Sequence, residues 1–373
     1  MLPKVNINIL TWNGERYLKP CLDSALSQDY SNYKVLIIDN NSKDNTKQII
    51  GDYIENAKRE TRNTKPVDIN FIQNESNVGF AAGHNQGIRL TDGEYVMLLN
   101  QDAILTPNFL SEAIKVLEKD KKIAALQPKV LKYDFKANRP KNIFDTTGLL
   151  MLKNRRILNR GQGQKDEGQF NQQEEIFGAD GAVPVYRRKA LEGVKLPIFN
   201  FPVYRQGRQF SIFNSQLVTR NSQQKFEYFD ESFFAYKEDV DLAWRLRLYG
   251  WKAIYTPSVL AYHERGAGES ASKKSLEILR ERKSISLFAK KISFKNQRLM
   301  QIKNEILSSY IKDFPSIFWK EIRSWGYVIL FERKILKCIP DLLKQIPRAF
   351  KQRRIIMRNR RIGAKEMEKW INH

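Results

Sequence analysis

Cysteine is nearly absent from this 373-residue sequence, which holds only Cys21 and Cys338. That excludes a disulfide-stapled scaffold and a four-cysteine zinc site, and fits a reducing compartment. Long apolar runs are missing as well. No stretch approaches the roughly 18 apolar residues needed to span a bilayer. The apolar part of the opening MLPKVNINIL is too short for a signal peptide and reads as a first strand. No G-x-G-x-x-G follows that strand and no G-x-x-x-x-G-K-[ST] occurs, which weakens dehydrogenase and P-loop readings. Acidic residues are in deficit, 41 against 64 Lys and Arg, for a net charge of +23. A surplus of that size implies an anionic partner: nucleic acid, a membrane surface or a phosphorylated substrate.

What is present is a foldable chain. Hydrophobic residues make up 42% and aromatics 11%, too apolar for disorder. The length suits one large α/β domain with an appendage, or two modest domains. The charge is unevenly spread: residues 272–373 carry 26 Lys and Arg against 9 Asp and Glu, so 17 of the 23 surplus charges lie there. The first 271 residues are close to ordinary.

That front part alternates strand and helix signals. Val5–Leu10, Tyr33–Ile38, Asp68–Gln73 and Tyr95–Leu99 read as strands. Tyr17, Leu18, Cys21, Leu22, Ala25 and Leu26 recur at helical spacing, a helix is expected from about Ser42, and Gly79–Leu90 reads as helical. Thr106-Pro107 resembles a helix start, with Thr capping and Pro at the first helical position. Alternation of this kind predicts right-handed crossovers and a mostly parallel sheet. Ligands bind beyond the carboxyl ends of such strands. Polar clusters sit at those ends: Thr11-Trp12-Asn13, Asp39-Asn40-Asn41, Asn74 to Asn77, and Asn100-Gln101-Asp102. Asn and Asp are also simple turn formers, but four clusters on one sheet edge favour a binding site. Residues 134–175 read as loops and short strands, and 197–228 as an inserted loop.

Three features carry chemistry. Glu238-Asp239-Val240-Asp241 puts three carboxylates at the start of what reads as an amphipathic helix, with Leu242 and Leu246 one turn apart. The helix dipole alone would stabilise them there, but Asp239, where loop gives way to helix, could accept a proton from a hydroxyl. Asp102 ends a very apolar strand and could hold a divalent cation through oxygen, with a diphosphate supplying further ligands. His263 follows the short strand Val259–Tyr262. A lone His is more often a hydrogen-bonded structural residue than a ligand. His84 reads as structural, and His373 is terminal.

These residues lie in ordered segments that together resemble a family: NILTWNGERYLKPCLDSALSQ, VLIIDNNSKDNT, NESNVGFAAGHNQGI, YVMLLNQDAILTP, GADGAVPVYRRKAL, FDESFFAYKEDVDLAWRLRLYGW and IYTPSVLAYHERG. The chain resembles a family 2 glycosyltransferase of the GT-A fold, nearest in pattern to bacterial rhamnosyltransferase-like members. The resemblance implies an α/β GT-A fold with a mixed, mostly parallel sheet flanked by helices. It implies a catalytic domain over 1–271, with a nucleotide-sugar half (1–130) and an acceptor half (131–271) carrying the inserted loop, then a basic amphipathic helical tail over 272–373.

The implied roles are as follows. Thr11, Asn13 and Glu15 line the nucleotide pocket. Asp39 binds base or ribose with Asn41 beside it. Asn77, Gly79, Phe80 and Asn85 form the turn and helix start below the nucleotide. Gln101 and Asp102 belong to the metal-binding Asp-x-Asp segment, written here Asn100-Gln101-Asp102, so one carboxylate must anchor a Mg²⁺ or Mn²⁺ with His263. Asp239 is the base and Glu238 the runner-up. Asp180, Trp244 and Arg245 are acceptor-side candidates. Asp180 stands where many relatives carry a small apolar residue. The implied reaction is an inverting single displacement from dTDP-rhamnose or a UDP-sugar onto a glycan or lipid-linked hydroxyl, in cell-envelope polysaccharide synthesis.

The tail admits two readings. Its aromatics and aliphatics with interleaved Lys and Arg suit an interfacial helix on an anionic membrane. They equally suit a helical subdomain packed on the catalytic domain. The resemblance favours the first, and with it a cytoplasmic enzyme held peripherally at the inner face of the cell membrane. Two rivals stand beside this. A nucleic-acid-binding protein has only the basic tail in its favour and no recognised module, so no nucleic-acid partner is expected. A catalytically inactive nucleotide-sugar scaffold is opposed by the retention of Asp39, Asp102, Asp239 and His263.

Overall fold

A computed structural model describes residues 1–59, 68–199, 210–212, 226–265 and 282–372. The first strand, β1 (Val5–Thr11), is buried on both faces, as a central parallel strand is, although Asn6 and Asn8 alternate with its apolar residues. It pairs in parallel with β2 (Tyr33–Asp39) on one side and β4 (Tyr95–Asn100) on the other, and β2 pairs in parallel with β3 (Asp68–Asn74). The chain therefore steps outward from β1 through β2 to β3 and returns to the opposite flank with β4. The order reverses between β1 and β4, and a crevice opens where it does.

Helices α1 (Glu15–Leu26), α2 (Thr46–Arg59) and α3 (Gly79–Leu90) make the crossovers. In α1 the buried residues Leu18, Cys21, Leu22 and Ala25 form one stripe against the sheet. The second helix starts later than Ser42, because residues 42–46 are spent on turns closed by the Asp39 and Asp44 side chains. Likewise α4 (Phe109–Lys119) begins two residues after Pro107, with Asn108 in the capping position.

Beyond β5 (Ala103–Leu105) and β6 (Ile123–Asp134) the sheet becomes mixed. The hairpin strand β7 (Arg139–Thr146) runs antiparallel to β6, and β8 (Leu149–Leu152) and β9 (Ile157–Asn159) form part of a small separate sheet. β10 (Glu174–Ile176) forms one edge of the main sheet, and β11 (Val185–Arg187) is inserted antiparallel between β4 and β6. Helix α5 (Arg188–Val194) and strand β12 (Leu196–Pro197) follow. Most of the expected inserted loop lies outside the described residues. Within it, β13 (Phe210–Ile212) adds an antiparallel strand beside β3, and β14 (Phe226–Glu227) pairs with β12.

Helix α6 (Glu238–Leu248) departs from the expected amphipathic form. All its residues except Asp239 are buried. The C-terminal helices account for this. Helix α7 (Leu287–Asn304), α8 (Leu307–Phe331) and α9 (Ile339–Asn359) follow β15 (Lys252–His263). Leu299, Met300, Ile306, Leu342, Ala349, Ile356, Met367 and Ile371 join the same hydrophobic cluster as Leu242, Trp244 and Leu246 of α6. Buried ion pairs tie the two regions further: Arg155 to Glu305 and Asp313, and Arg348 to Glu227 and Asp230. The C-terminal helices thus pack on the α/β body and share its core, the second of the two readings open in the sequence. No described helix is long and apolar enough to cross a membrane.

Candidate active site

The polar clusters meet at the carboxyl ends of β1, β2, β3 and β4, and most of their side chains brace one another. Thr11 Oγ1 donates to Gln101 Oε1 at 2.6 Å, and the Trp12 N–H donates to the same oxygen at 2.9 Å. Asn13 has φ 50°, its N–H donates to Ser42 Oγ, and its Oδ1 accepts from Lys43 N–H, each at 2.8 Å. Glu15 accepts from Asn45 Nδ2 at 2.6 Å. The Asn41 amide donates to the Glu75 carbonyl. Asn77 Oδ1 accepts the Gly79 N–H at 2.9 Å and sets the turn into α3. Gly79 has φ +84°, and a Cβ there would lie 2.6 Å from the Phe234 carbonyl oxygen, so the position requires glycine. Phe80 meets the edge of the His84 ring at 4.3 Å. His84 is buried, and burial lowers its pKa to about 3, which suits a structural residue.

Two expected ligand-side residues are turned inward. Asp39 is fully buried and accepts from Ser42 N–H and Gln73 Nε2 at 3.2 and 3.4 Å. Burial raises its pKa, with those hydrogen bonds opposing the shift. Asn85 does not reach the crevice. Its Nδ2 donates to the Phe229 carbonyl at 2.8 Å and its Oδ1 accepts the Phe229 N–H at 2.9 Å, so it fastens α3 to the segment before α6.

Asp102 and His263 come together through strand register. β15 pairs antiparallel with β5 so that His263 faces Ala103, and Asp102 is the next residue. His263 Nε2 lies 3.1 Å from Asp102 Oδ1, and Nδ1 lies 2.9 Å from Asp145 Oδ2. The Asp102 side chain is 22% exposed, whereas those of His263 and Asp145 are 4% and 0% exposed. Burial alone would lower the His263 pKa, but the Asp102 and Asp145 carboxylates outweigh it and hold it up at about 10. Burial would likewise raise that of Asp145, but Arg265 and His263 keep it well below the usual carboxylate range.

Sequence reasoning missed Asp145 and Arg265. Arg265 donates to both Asp145 oxygens at 2.9 Å and to Asp180 Oδ2 at 3.0 Å. Asp180 is therefore paired within the protein. A continuous chain of contacts runs Asp102, His263, Asp145, Arg265, Asp180. The next residue, Gly181, donates its N–H to Asp239 Oδ2 at 3.1 Å.

Asp239 is the one partly exposed residue of α6. Its pKa is raised to about 6, by burial first and then by the Asp180 charge. Glu238 is buried, and burial with the neighbouring Asp239 charge raises its pKa further. Trp244 and Arg245, expected on the acceptor side, lie in the core instead. Trp244 packs edge-on against Phe177. The buried Arg245 binds Asp241 at 3.1 Å and the Val194 carbonyl at 2.6 Å. One helical turn separates Arg245 from Asp241, which points both away from the crevice that Asp239 faces.

This site, a carboxylate on a buried helix beside an Asp–His pair at the switch point of a mixed sheet, belongs to a GT-A fold. TarS residues 1–349 of S. aureus, solved with UDP-GlcNAc, superposes with TM-score 0.50 over 98% of this chain and 89% of that one, at 14% identity. GalNAc-T7, solved with UDP, GalNAc and Mn²⁺, gives 0.51 over 88% and 57%, at 13% identity. The model of the family described as glycosyl transferase family 2 matches residues 7–194, and the chain belongs to that family. An uncharacterized glycosyltransferase of Methanocaldococcus jannaschii is 29% identical over 126 residues, covering 33% of this chain and 40% of the relative. The matches to other curated relatives, from Rickettsia, cover 33% of their length.

Proposed function

We propose that this glycosyltransferase moves a sugar from a nucleoside-diphosphate donor to a hydroxyl of a glycan or lipid-linked acceptor, with inversion at the anomeric carbon. The observation that carries this reading is the partly exposed Asp239 carboxylate at the end of the contact chain from Asp102 and His263. Asp239 takes the proton of the acceptor hydroxyl as that oxygen attacks. Its raised pKa makes it a better proton acceptor than an ordinary carboxylate, yet it remains ionised at neutral pH. Glu238, buried beside it, is the weaker candidate because it faces protein rather than the crevice. The bond from the anomeric carbon to the diphosphate breaks as the new one forms.

The donor set near Asp102 fits a divalent cation of the Mg²⁺ or Mn²⁺ kind. One carboxylate oxygen and one imidazole nitrogen converge, the nitrogen becoming a donor when a cation displaces its proton, and the ring's second nitrogen is held by Asp145, an arrangement common around metal-bound histidines. Among the described residues no three His, Cys, Asp or Glu side chains are placed to hold one metal ion together. The diphosphate and water would therefore supply the remaining ligands. When bound, the cation supplies charge neutralisation for the leaving diphosphate. GalNAc-T7, which shares the fold, was solved with Mn²⁺ and UDP. A dTDP-rhamnose or UDP-sugar donor and a role in cell-envelope polysaccharide synthesis remain the preferred substrate reading, carried by the motif pattern.

Helix α8 supports peripheral attachment to an anionic membrane at the cytoplasmic face. Leu307, Ile311, Phe314, Phe318, Ile322 and Ile329 are exposed and share one helical stripe. Arg323, Arg333, Lys334 and Lys337 are exposed nearby. An apolar stripe with a basic margin suits the headgroup region of anionic lipid.

A thermal-shift panel of UDP-GlcNAc, UDP-glucose, GDP-mannose and dTDP-rhamnose, with and without Mn²⁺, tests the donor reading. Specific binding stabilises by mass action. One donor should raise the melting temperature, with a larger shift in Mn²⁺ that Asp102→Ala abolishes. Equal shifts for wild type and Asp102→Ala would count against the metal role.

A further inference from the structure

The segment entering α6 is unusual in its backbone. Phe234, Tyr236 and Lys237 have φ values of 63°, 66° and 74°, three positive-φ residues within four positions and none of them glycine. Side chains of this kind adopt that region only where the surroundings impose it. Asp239 stands two residues beyond Lys237, so the aim of its carboxylate depends on holding this segment in place.

One side chain from the C-terminal helices does the holding. Asn296, on α7 and fully buried, points its amide nitrogen at three carbonyls of the segment. They are Phe233 at 3.0 Å, Ala235 at 3.0 Å and Tyr236 at 2.7 Å. The carbonyl left out, that of Phe234, accepts the Ala81 N–H of α3 at 3.0 Å. The segment is thus fastened on one side to the helix below the donor crevice and on the other to α7. Neighbours on α7 extend the grip. Lys295 Nζ donates to the Ser232 carbonyl at 2.9 Å. Lys303 Nζ reaches Asp230 at 2.7 Å and Asp241 at 2.9 Å. Asn304 Nδ2 donates to Asp241 Oδ1 at 2.7 Å.

We propose that Asn296 is a positioning residue for Asp239: its amide fixes the positive-φ segment from which α6 starts, and so sets where the carboxylate points. This rests on the reading of Asp239 as the base. No isosteric replacement does the same. An Asp carboxylate has no N–H to share among the carbonyls and would repel them, Leu has no donor, and Gln places its amide one methylene further on.

The test uses the full chain with Asn296→Ala, and with Phe294→Leu as a packing control. Phe294 lies on α7 too, but packs against Trp325 and Val328, away from the segment. Hydrogen exchange is read in the peptide covering 233–241. Turnover is read as nucleoside diphosphate released from whichever donor of the panel stabilises the wild type. Asn296→Ala should speed exchange in that peptide and lower kcat by about 100-fold, as misplacement of a reacting group does, with the donor KM within about twofold. Phe294→Leu should leave both near wild type even at a similar loss in melting temperature.

In an Asp239→Asn background, Asn296→Ala should cost little more turnover, because the two act as one unit. Unchanged exchange at 233–241 overturns the proposal. So does faster exchange with unchanged kcat, or losses that simply multiply in the double variant. Normal turnover in Asp239→Asn alone would instead overturn the base assignment.

Discussion

Asp145 decides how His263 presents its ring. By accepting from Nδ1 it leaves Nε2 directed at Asp102. Removing such a partner usually weakens metal affinity 10–100-fold. Asp145→Asn should therefore weaken Mn²⁺-supported donor binding by that factor in calorimetric titration, while metal-free nucleotide binding changes little. Asp239 makes a second prediction at this scale. A base works deprotonated, and its pKa is raised to about 6 by burial and Asp180. Turnover should fall about tenfold per pH unit below that value and level off above it, in a pH–rate profile at saturating donor.

The site was unevenly legible in the sequence, and the reasons are local. Asp102 follows β4, Asp239 lies in the first turn of α6 and His263 ends β15, so each stands beside a strand or helix signal that the sequence shows. Asp145 sits in a polar stretch with no pattern, and acquires meaning only through the pairing of β7 with β6 and of β6 with β15. Trp244 and Arg245 misled because they follow the acidic cluster closely. Helix geometry carries them to the opposite side from Asp239.

Among the elements, the parallel strands and α1 and α3 follow directly from apolar runs and helical spacing. Helix α6 does not. Its sequence carries charges on both sides, yet Lys303 from another element pairs with Asp241 in the interior, and Asn304 donates to the same carboxylate. No local pattern announces a partner some 60 residues away. Helix α8 is the converse case. Its apolar stripe would pass for a core face, but Leu307 and Ile311 are 63% and 64% exposed, and Trp319 beside the stripe is 57% exposed. Each aromatic buried in lipid contributes about 1.5–3 kcal/mol. A Phe318→Asp, Trp319→Asp double variant should therefore lose at least about tenfold in cosedimentation with phosphatidylglycerol vesicles, with an unchanged melting temperature. Equal vesicle binding by wild type and variant would remove α8 from the membrane account.

For the molecule as a whole, the charge asymmetry suggested an ordinary catalytic body with a basic tail delivering it. The asymmetry is real, but the helices that hold it are not a detachable appendage. Arg348, Lys303 and Lys295 turn charge inward, onto Glu227, Asp230, Asp241 and the segment before α6. Part of the basic surplus therefore pairs with carboxylates inside the protein, while residues such as Arg323 and Lys334 stay exposed. Composition could not separate those two uses of positive charge, because it does not record which side of a helix faces the core. The most direct test of the central claim is turnover by Asp239→Asn, measured on samples whose donor-induced thermal shift matches wild type. With Asp239 as the base, the shift should be the same and nucleoside diphosphate release should fall at least about 100-fold. Near-normal release at an equal shift would contradict it.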